Sequence, residues 1–220
     1  SGDFKFDSRD IKTGEVFLAL SGEKLDGHDF TEEAFAKGAV LAIVSKTITG
    51  PHILVNDVLT SVSKLASEVR KNLVDLKVVG ITGSQGKTTT KDMLHTVLAS
   101  AGKTIAPIGS YNNDIGVPIT LLRCNLETKF CILEMGARHM GDIGKLTQIG
   151  LPDVGIVLKV GVAHLGEFGS RENIATAKGE LIRGLREGAT AVLGDFDEFT
   201  PKMADGLNLK KYLFGFLNKD

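Results

Sequence analysis

Residues 78–90, Val-Val-Gly-Ile-Thr-Gly-Ser-Gln-Gly-Lys-Thr-Thr-Thr, constrain this chain more than any other stretch. An apolar strand runs into a glycine-rich turn, and a lysine and three threonines then open a helix. Gly83 and Gly86 can take backbone angles closed to other residues, so successive amide N–H groups can converge on phosphate oxygens at a helix N-terminus, whose dipole also favours anions. In such a cradle Lys87 reaches the β- and γ-phosphates and the Thr88 hydroxyl sits on Mg2+. Gly83, Ser84, Gln85, Gly86, Lys87, Thr88 and Thr89 are therefore the expected nucleotide contacts. The general pattern asks for a glycine five places before Gly86, where this chain has Ile81, so the loop is a variant.

With 220 residues, 42% hydrophobic and 24% charged, the chain is globular and has room for one large or two modest domains. Disordered and fibrous classes are excluded. A formal charge of -1 and a pI near 6.5 provide no basic surface for a nucleic-acid backbone, and nucleic acid is not expected as a partner. The two cysteines, Cys124 and Cys131, form no C-x-x-C pair. They suggest neither a disulfide framework nor a zinc site, and a reducing, cytoplasmic home fits best. No run approaches the roughly 18 apolar residues of a membrane span, and Ser1-Gly2-Asp3-Phe4-Lys5 is too polar for a signal peptide. A soluble protein without membrane attachment is expected.

Along the chain, residues 1–75 alternate short apolar runs with amphipathic helices. Strands are read at 15–20 and 39–44, a helix at 30–37 ending at Gly38, and a second helix at 58–72. Asp57 is its expected N-cap, and Val58, Val62, Leu65, Ala66, Val69 and Leu73 recur on one face. From residue 76 to 220 the pattern becomes strand, loop, helix, repeated. Apolar runs at 77–82, 129–134, 154–160 and 190–193 are of parallel-strand type, and helices are read at 87–101, 142–149 and 171–185. This is α/β, doubly wound order, whose ligands bind beyond the C-terminal ends of the strands.

Three clusters follow such strand ends. Glu134 closes an apolar strand with a carboxylate; position alone balances a metal ligand against a solvent-facing acid, and the upstream phosphate loop tips it towards metal. His164 follows the next strand through a glycine turn, where a lone histidine is more often structural than a ligand. Lys178 lies on a predicted helix, where most lysines are solvated. The polar segment 112–118, Asn-Asn-Asp-Ile-Gly-Val-Pro, reads by itself as turn chemistry leading into a short helix. Cys124 and Cys131 have no ordered histidine partner that would support a nucleophilic role.

Taken together, these segments resemble the Mur ligases, ATP-dependent amide-forming enzymes of peptidoglycan precursor synthesis. The family's phosphate loop is a short T-G-x-x-G-K-T form, matched at 82–88, which accounts for Ile81. Asn112 to Pro118 is similar to the N-N-E-I-G-V-P segment of one branch. Glu134-Met135-Gly136-Ala137 with His139 and Gly141, then Val160-Gly161-Val162-Ala163-His164-Leu165, Phe168-Gly169-Ser170 and Ala177-Lys178-Gly179-Glu180, continue the match in order. In the N-terminal part, Asp7-Ser8-Arg9, Gly14-Glu15-Val16-Phe17, Ser21-Gly22-Glu23 and Asp26-Gly27-His28-Asp29-Phe30 also fit that branch. The resemblance covers nearly the whole chain.

It implies a small mixed α/β N-terminal domain (1–75) that binds a UDP-sugar, then a P-loop, mostly parallel central ATPase domain (76–220). A C-terminal domain is expected to be missing from this length. The reaction implied adds D-alanyl-D-alanine to UDP-N-acetylmuramoyl-tripeptide: a substrate carboxylate attacks the ATP γ-phosphate to give an acyl phosphate, and the dipeptide amine displaces phosphate. Lys87, the loop amides and Mg2+ on Thr88 would carry the phosphoryl transfer. By the same resemblance Glu134 and His164 serve around metal, and Lys178 matches a carbamylated lysine that can hold a second Mg2+. Asn112 and Asn113 fall at the nucleotide, and Ser8, Arg9, Ser21, Gly22, Glu23, Asp26 and His28 face the UDP-sugar. A monomer is expected. Two departures add positive charge: Lys159 and Arg138 stand where the family usually has asparagine. The alternatives are a tripeptide-forming ligase or a folylpolyglutamate synthase, against which segments 112–118 and 26–30 argue, and a P-loop module that binds nucleotide without ligating.

Overall fold

The computed structural model describes residues 3–22, 24–163 and 165–215; Glu23 and His164, both singled out above, lie outside the described residues. The chain divides into two compact units, Ser1–Ala66 and Ser67–Asp220. The division falls inside a helix, ahead of the change of pattern read at residue 75.

In the first unit, strands β1 (Phe4–Lys5), β2 (Val16–Leu18), β3 (Leu41–Val44) and β4 (His52–Leu54) form a parallel sheet in that order. Helix α1 (Thr31–Ala36) connects β2 to β3. Phe17, Ala19, Ala34, Ala39, Ala42 and Val44 make the core, with Phe30, Phe35 and Ile48 packed against it. Small alanines on both α1 and the sheet let the two approach, and the buried Phe17 ring contributes roughly 2–3 kcal/mol. The strands read at 15–20 and 39–44 are the longer envelopes of β2 and β3. β1 is too short to carry a period, and β4 has Ile53 and Leu54 exposed, so neither was legible.

Helix α2 (Val58–Asn72) has the bounds read from its periodicity, and Asp57 accepts the Thr60 N–H at 2.7 Å as its cap. Its buried line is narrower than the apolar stripe. Val58, Val62, Ala66 and Arg70 follow one i+4 ridge, all buried, whereas Leu65 lies to the side and is exposed.

The second unit is built on β5 (Lys77–Thr82), β6 (Thr104–Ile105), β7 (Phe130–Glu134), β8 (Val154–Val157), β9 (Thr190–Asp195) and β10 (Lys210–Gly215). All pair in parallel, in the order β10-β9-β8-β5-β7-β6. The chain starts in the middle, works to one edge and then crosses to the other, the doubly wound order expected. Its helices are α3 (Lys87–Ala99), α4 (Gly116–Leu122), α5 (Asp142–Gly150), α6 (Leu165–Phe168) and α7 (Arg171–Arg183). β8 ends before the expected residue 160: the Leu158 N–H still bonds the Thr82 carbonyl at 3.0 Å, and from Lys159 the backbone runs beside the turn after β5. β6 is two residues long and β10 opens on two lysines, which is why the apolar pattern did not reveal them.

The two faces of the sheet are covered differently. On one, Leu94 and Leu98 of α3 pack on Val79, Ile81, Ile132, Ile156 and Leu158. On the other, Gly80 and Gly155 are register partners on β5 and β8. A Cβ at Gly80 would stand 3.0 Å from Leu181, and one at Gly155 3.1 Å from Ile182. Bare backbone at both positions therefore lets α7 settle close to the sheet.

At the N-terminal edge of β8, Asp153 accepts from the Val78 N–H at 2.8 Å and from Arg70 at 3.0 Å, and it also pairs with Arg186. Arg70 in turn donates to the carbonyls of Gly150 at 3.3 Å and Leu151 at 3.1 Å. This fastens the last turn of α2 to the α5–β8 connection. Among the described residues no helix is long and apolar enough to cross a membrane.

Candidate active site

β5 delivers the chain to the glycine turn at the C-terminal edge of the sheet. Gly83 (φ 157°) and Gly86 (φ 82°) both have positive φ. A Cβ on Gly83 would lie 2.9 Å from that of Leu158, so the turn is pressed against the segment leaving β8. Ser84 binds that segment twice: its N–H donates to the Lys159 carbonyl at 2.9 Å, and its Oγ accepts the Gly161 N–H at 2.9 Å. α3 then starts with no side-chain cap, leaving its first-turn amides to an anion. Lys87 arches back and donates to the Gly83 carbonyl at 2.9 Å. Burial pushes its pKa down, and the Glu134 carboxylate partly offsets this. The Thr82 hydroxyl, just before the turn, is buried without a hydrogen-bond partner among the described residues.

Glu134, at the end of β7, is buried and divides its two oxygens. Oε2 accepts from the Thr88 hydroxyl at 3.1 Å and Oε1 from Asn112 Nδ2 at 2.9 Å. The Asn112 carbonyl accepts the Gly136 N–H at 2.7 Å. Its neighbour has another job: Asn113 Oδ1 accepts the Gly116 N–H at 3.0 Å, starting α4. The Thr88 and Glu134 oxygens form a hard donor set. Among the described residues no group of three or more His, Cys, Asp or Glu could hold a metal alone. A hydroxyl and a carboxylate are the oxygen donors that Mg2+ takes, usually one or two from protein together with phosphate and water. Gln85 and Thr89 are exposed on the loop and first turn.

Lys91 was not singled out in the sequence, yet it organises this corner. It is buried, donates to the Gly109 carbonyl at 2.9 Å and the Pro107 carbonyl at 3.4 Å, and pairs with Asp92 at 3.0 Å. It thereby ties α3 to the loop that carries Asn112. The available signal was its place four residues after Lys87 and three after Thr88, on the helix face that meets β7.

Lys178 is only 4% exposed. Burial, followed by the like charge of Lys87, lowers its pKa to about 8. Glu180, on the same helix, accepts the N–H groups of Gly141 at 2.7 Å and Gly144 at 2.8 Å and so caps α5 from outside. The Lys178 shift has a consequence for stability. In the unfolded chain this lysine holds its proton to the ordinary value of 10.5, whereas in the fold it releases it near 8. Between those values the unfolded chain binds more protons, so stability rises with pH across that window. Lys178→Met is expected to flatten that rise, read as a smaller difference between urea midpoints at about pH 7.5 and about pH 9.5 than in the wild type.

The departures from the family pattern sit at the same edge. The Lys159 carbonyl is the one held by Ser84, and Arg138 is exposed while its N–H and that of His139 donate to Asp142 at 3.0 and 2.8 Å.

In the first unit, Ser8 is buried and donates to Glu33 at 2.8 Å, while exposed Arg9 pairs with Asp7 at 2.6 Å. Ser21 donates to Asp26 at 3.1 Å, and Gly22 N–H closes the turn on the Leu25 carbonyl at 2.9 Å. Lys46, then His28, hold the Asp26 carboxyl far below the usual carboxylate range. His28 is buried and both its ring nitrogens are engaged: Nε2 accepts the Ser45 N–H at 2.9 Å, which leaves the proton on Nδ1 facing Asp26. Its geometry is that of a pin under the 21–28 turn.

A glycine turn at the C-terminal edge of a doubly wound parallel sheet, an uncapped helix behind it, and a lysine, a hydroxyl and a carboxylate around it define a phosphate-loop α/β protein. Residues 81–220 match the Mur ligase middle domain, and residues 4–83 the Mur ligase family catalytic domain. The chain belongs to the Mur ligase family. It is 43% identical over 227 aligned positions to the UDP-N-acetylmuramoyl-tripeptide--D-alanyl-D-alanine ligase of Mycobacterium tuberculosis, an alignment covering 93% of this chain and 44% of that protein. A crystal structure of MurF from Acinetobacter baumannii superposes with a TM-score of 0.87 at 36% identity, covering 97% of this chain and 48% of the other. MurF ligase from Thermotoga maritima, solved in complex with ADP, gives 0.83 at 36% identity, covering 100% and 52%. The chain thus spans about half the length of the relatives it matches.

Proposed function

We propose that this chain is the N-terminal and central part of an ATP- and Mg2+-dependent ligase that joins D-alanyl-D-alanine to UDP-N-acetylmuramoyl-tripeptide. The observation that carries the reading is the division of Glu134 between Thr88 and Asn112. One carboxylate links the phosphate loop to the segment that marks this branch of the family. The extent of the match to ligases of that name supports it.

In this reading the amides of residues 83–88 and Lys87 bind the ATP phosphates, and Thr88 and Glu134 hold Mg2+, which when bound neutralises phosphate charge. Asn112 keeps Glu134 oriented. Lys87 offsets the charge that accumulates on the phosphate oxygens, and the surrounding burial strengthens that interaction by excluding water. Lys178, with an amine pKa near 8, is neutral near pH 7 far more often than an exposed lysine and is suited to carbamylation, which would make it a further oxygen donor. The family resemblance assigns His164 to the metal as well. In the first unit Ser8, Arg9, Ser21, Gly22, Glu23, Asp26 and His28 shape the UDP-sugar site, His28 by holding Asp26. A monomeric, cytoplasmic protein fits this role, as do two free, buried cysteines.

Phosphate release from ATP by the full-length protein tests the reading. It is expected to require both the UDP-tripeptide and the dipeptide, and release that depends on neither would identify a nucleotide-binding module instead.

A further inference from the structure

The loop after β8 is stitched to the phosphate loop through Ser84, but something must hold the loop itself. That residue is Asp197, just past the end of β9. Its Oδ1 accepts the N–H groups of Phe199 at 2.9 Å and Thr200 at 2.8 Å, which shapes its own turn. Its Oδ2 accepts the Thr200 hydroxyl at 2.7 Å and, across to the neighbouring connection, the Val160 N–H at 2.8 Å. Val160 lies between the two residues that Ser84 binds, Lys159 and Gly161. The Val160 side chain packs with Phe168, Ile174 and Ala177, and Phe199 joins the same cluster. Arg171, which opens α7, lies 5.2 Å over the Phe199 ring and pairs with Glu198 at 3.2 Å. The turn at 197–200 therefore grips both the β8 loop and the helix that carries Lys178.

We infer that Asp197 is a positioning residue of the nucleotide site: it fixes the 159–161 backbone so that Ser84 and the phosphate loop keep the shape that receives phosphate. The inference rests on the proposed nucleotide site. The carboxylate is needed because both of its oxygens must accept. An asparagine can keep the local bonds to Phe199 and Thr200 with its carbonyl, but its amide would point a donor at the Val160 N–H.

Three single substitutions and one double variant of the full-length protein test this with Mg-ADP as the probe. Asp197→Asn is expected to weaken binding about tenfold, the scale of one hydrogen bond to a charged group. Thr200→Val, which removes only a bond within the turn, should change affinity less than about twofold. Ser84→Ala removes the side-chain half of the tie, the Oγ that accepts the Gly161 N–H, and leaves the Ser84 N–H on the Lys159 carbonyl, so adding Asp197→Asn should cost less than it does in the wild type; fully additive losses would overturn the inference. Hydrogen exchange of the Val160 amide in the nucleotide-free chain reads the grip directly. It should speed up in Asp197→Asn and not in Thr200→Val, and equal protection in all variants would also overturn it. Wild-type chain that fails to bind Mg-ADP would refute the site and this role with it, whereas wild-type binding matched by Asp197→Asn would refute the role of Asp197 alone.

Discussion

In a Lys87→Ala variant, Mg-ATP is expected to leave the melting temperature unchanged, whereas the wild-type chain should rise by several degrees. Ligand at about 100 times its dissociation constant stabilises a protein by on the order of 2.7 kcal/mol, roughly 5–10 °C for a chain of this size. The expectation follows from what surrounds the ammonium. Lys87 stands over the turn, bonded to the Gly83 carbonyl, with the buried Glu134 carboxylate as its charge partner. Without the lysine, the buried Glu134 carboxylate would lose its cationic neighbour on the protein, and the phosphates would lose the ammonium that offsets their charge. The ligand-free fold should tolerate the change, because the lysine is held at a desolvation cost. A ligand-induced shift that survives the substitution would remove the phosphate-loop assignment.

At the opposite edge of the sheet, Asp153→Ala is expected to cost about 3–5 kcal/mol, the usual penalty for breaking a buried ion pair from one side. The side chains of Arg70 and Asp153 are 8% and 11% exposed. The variant would leave the guanidinium charged among the Gly150 and Leu151 carbonyls and would strip the Val78 N–H of its acceptor. The outer pair with Arg186, whose side chain is 68% exposed, should contribute little of this. The change should be read as a lower urea midpoint at unchanged slope. A loss below about 1 kcal/mol would show that the clamp is not a buried charge pair in effect. Nucleotide affinity, measured well below the transition, should be unaffected because the clamp is at the other end of the strands.

What the sequence revealed and what it concealed divide along physical lines. The phosphate loop was legible because glycine, lysine and threonine at fixed offsets after an apolar strand have few other uses, and β5 begins and ends where its apolar run does. Glu134 was legible once the loop was, since a carboxylate ending the neighbouring strand has the same edge of the sheet to occupy. Asn112 and Asn113 could not be told apart, because which of two adjacent polar residues turns inward depends on how α4 begins. Arg70 and Lys91 were hidden for one reason: a cation on an amphipathic helix is ordinarily solvated, and only the tertiary partners, carbonyls from distant loops, reveal that these two are buried. Asp197 carried no local signal, since its cross-loop bond joins residues 37 apart in sequence.

The paired glycines on β5 and β8 set more than a packing distance. Leu181, the residue that settles into the space at Gly80, lies one helical turn beyond Lys178. The close approach of helix to sheet is therefore part of the packing in which Lys178 is buried. A methyl group at either glycine would press on the tips of Leu181 or Ile182, which would have to give by a few tenths of an ångström. The burial that lowers the proton affinity of Lys178 thus depends in part on two side chains that the sheet does not have.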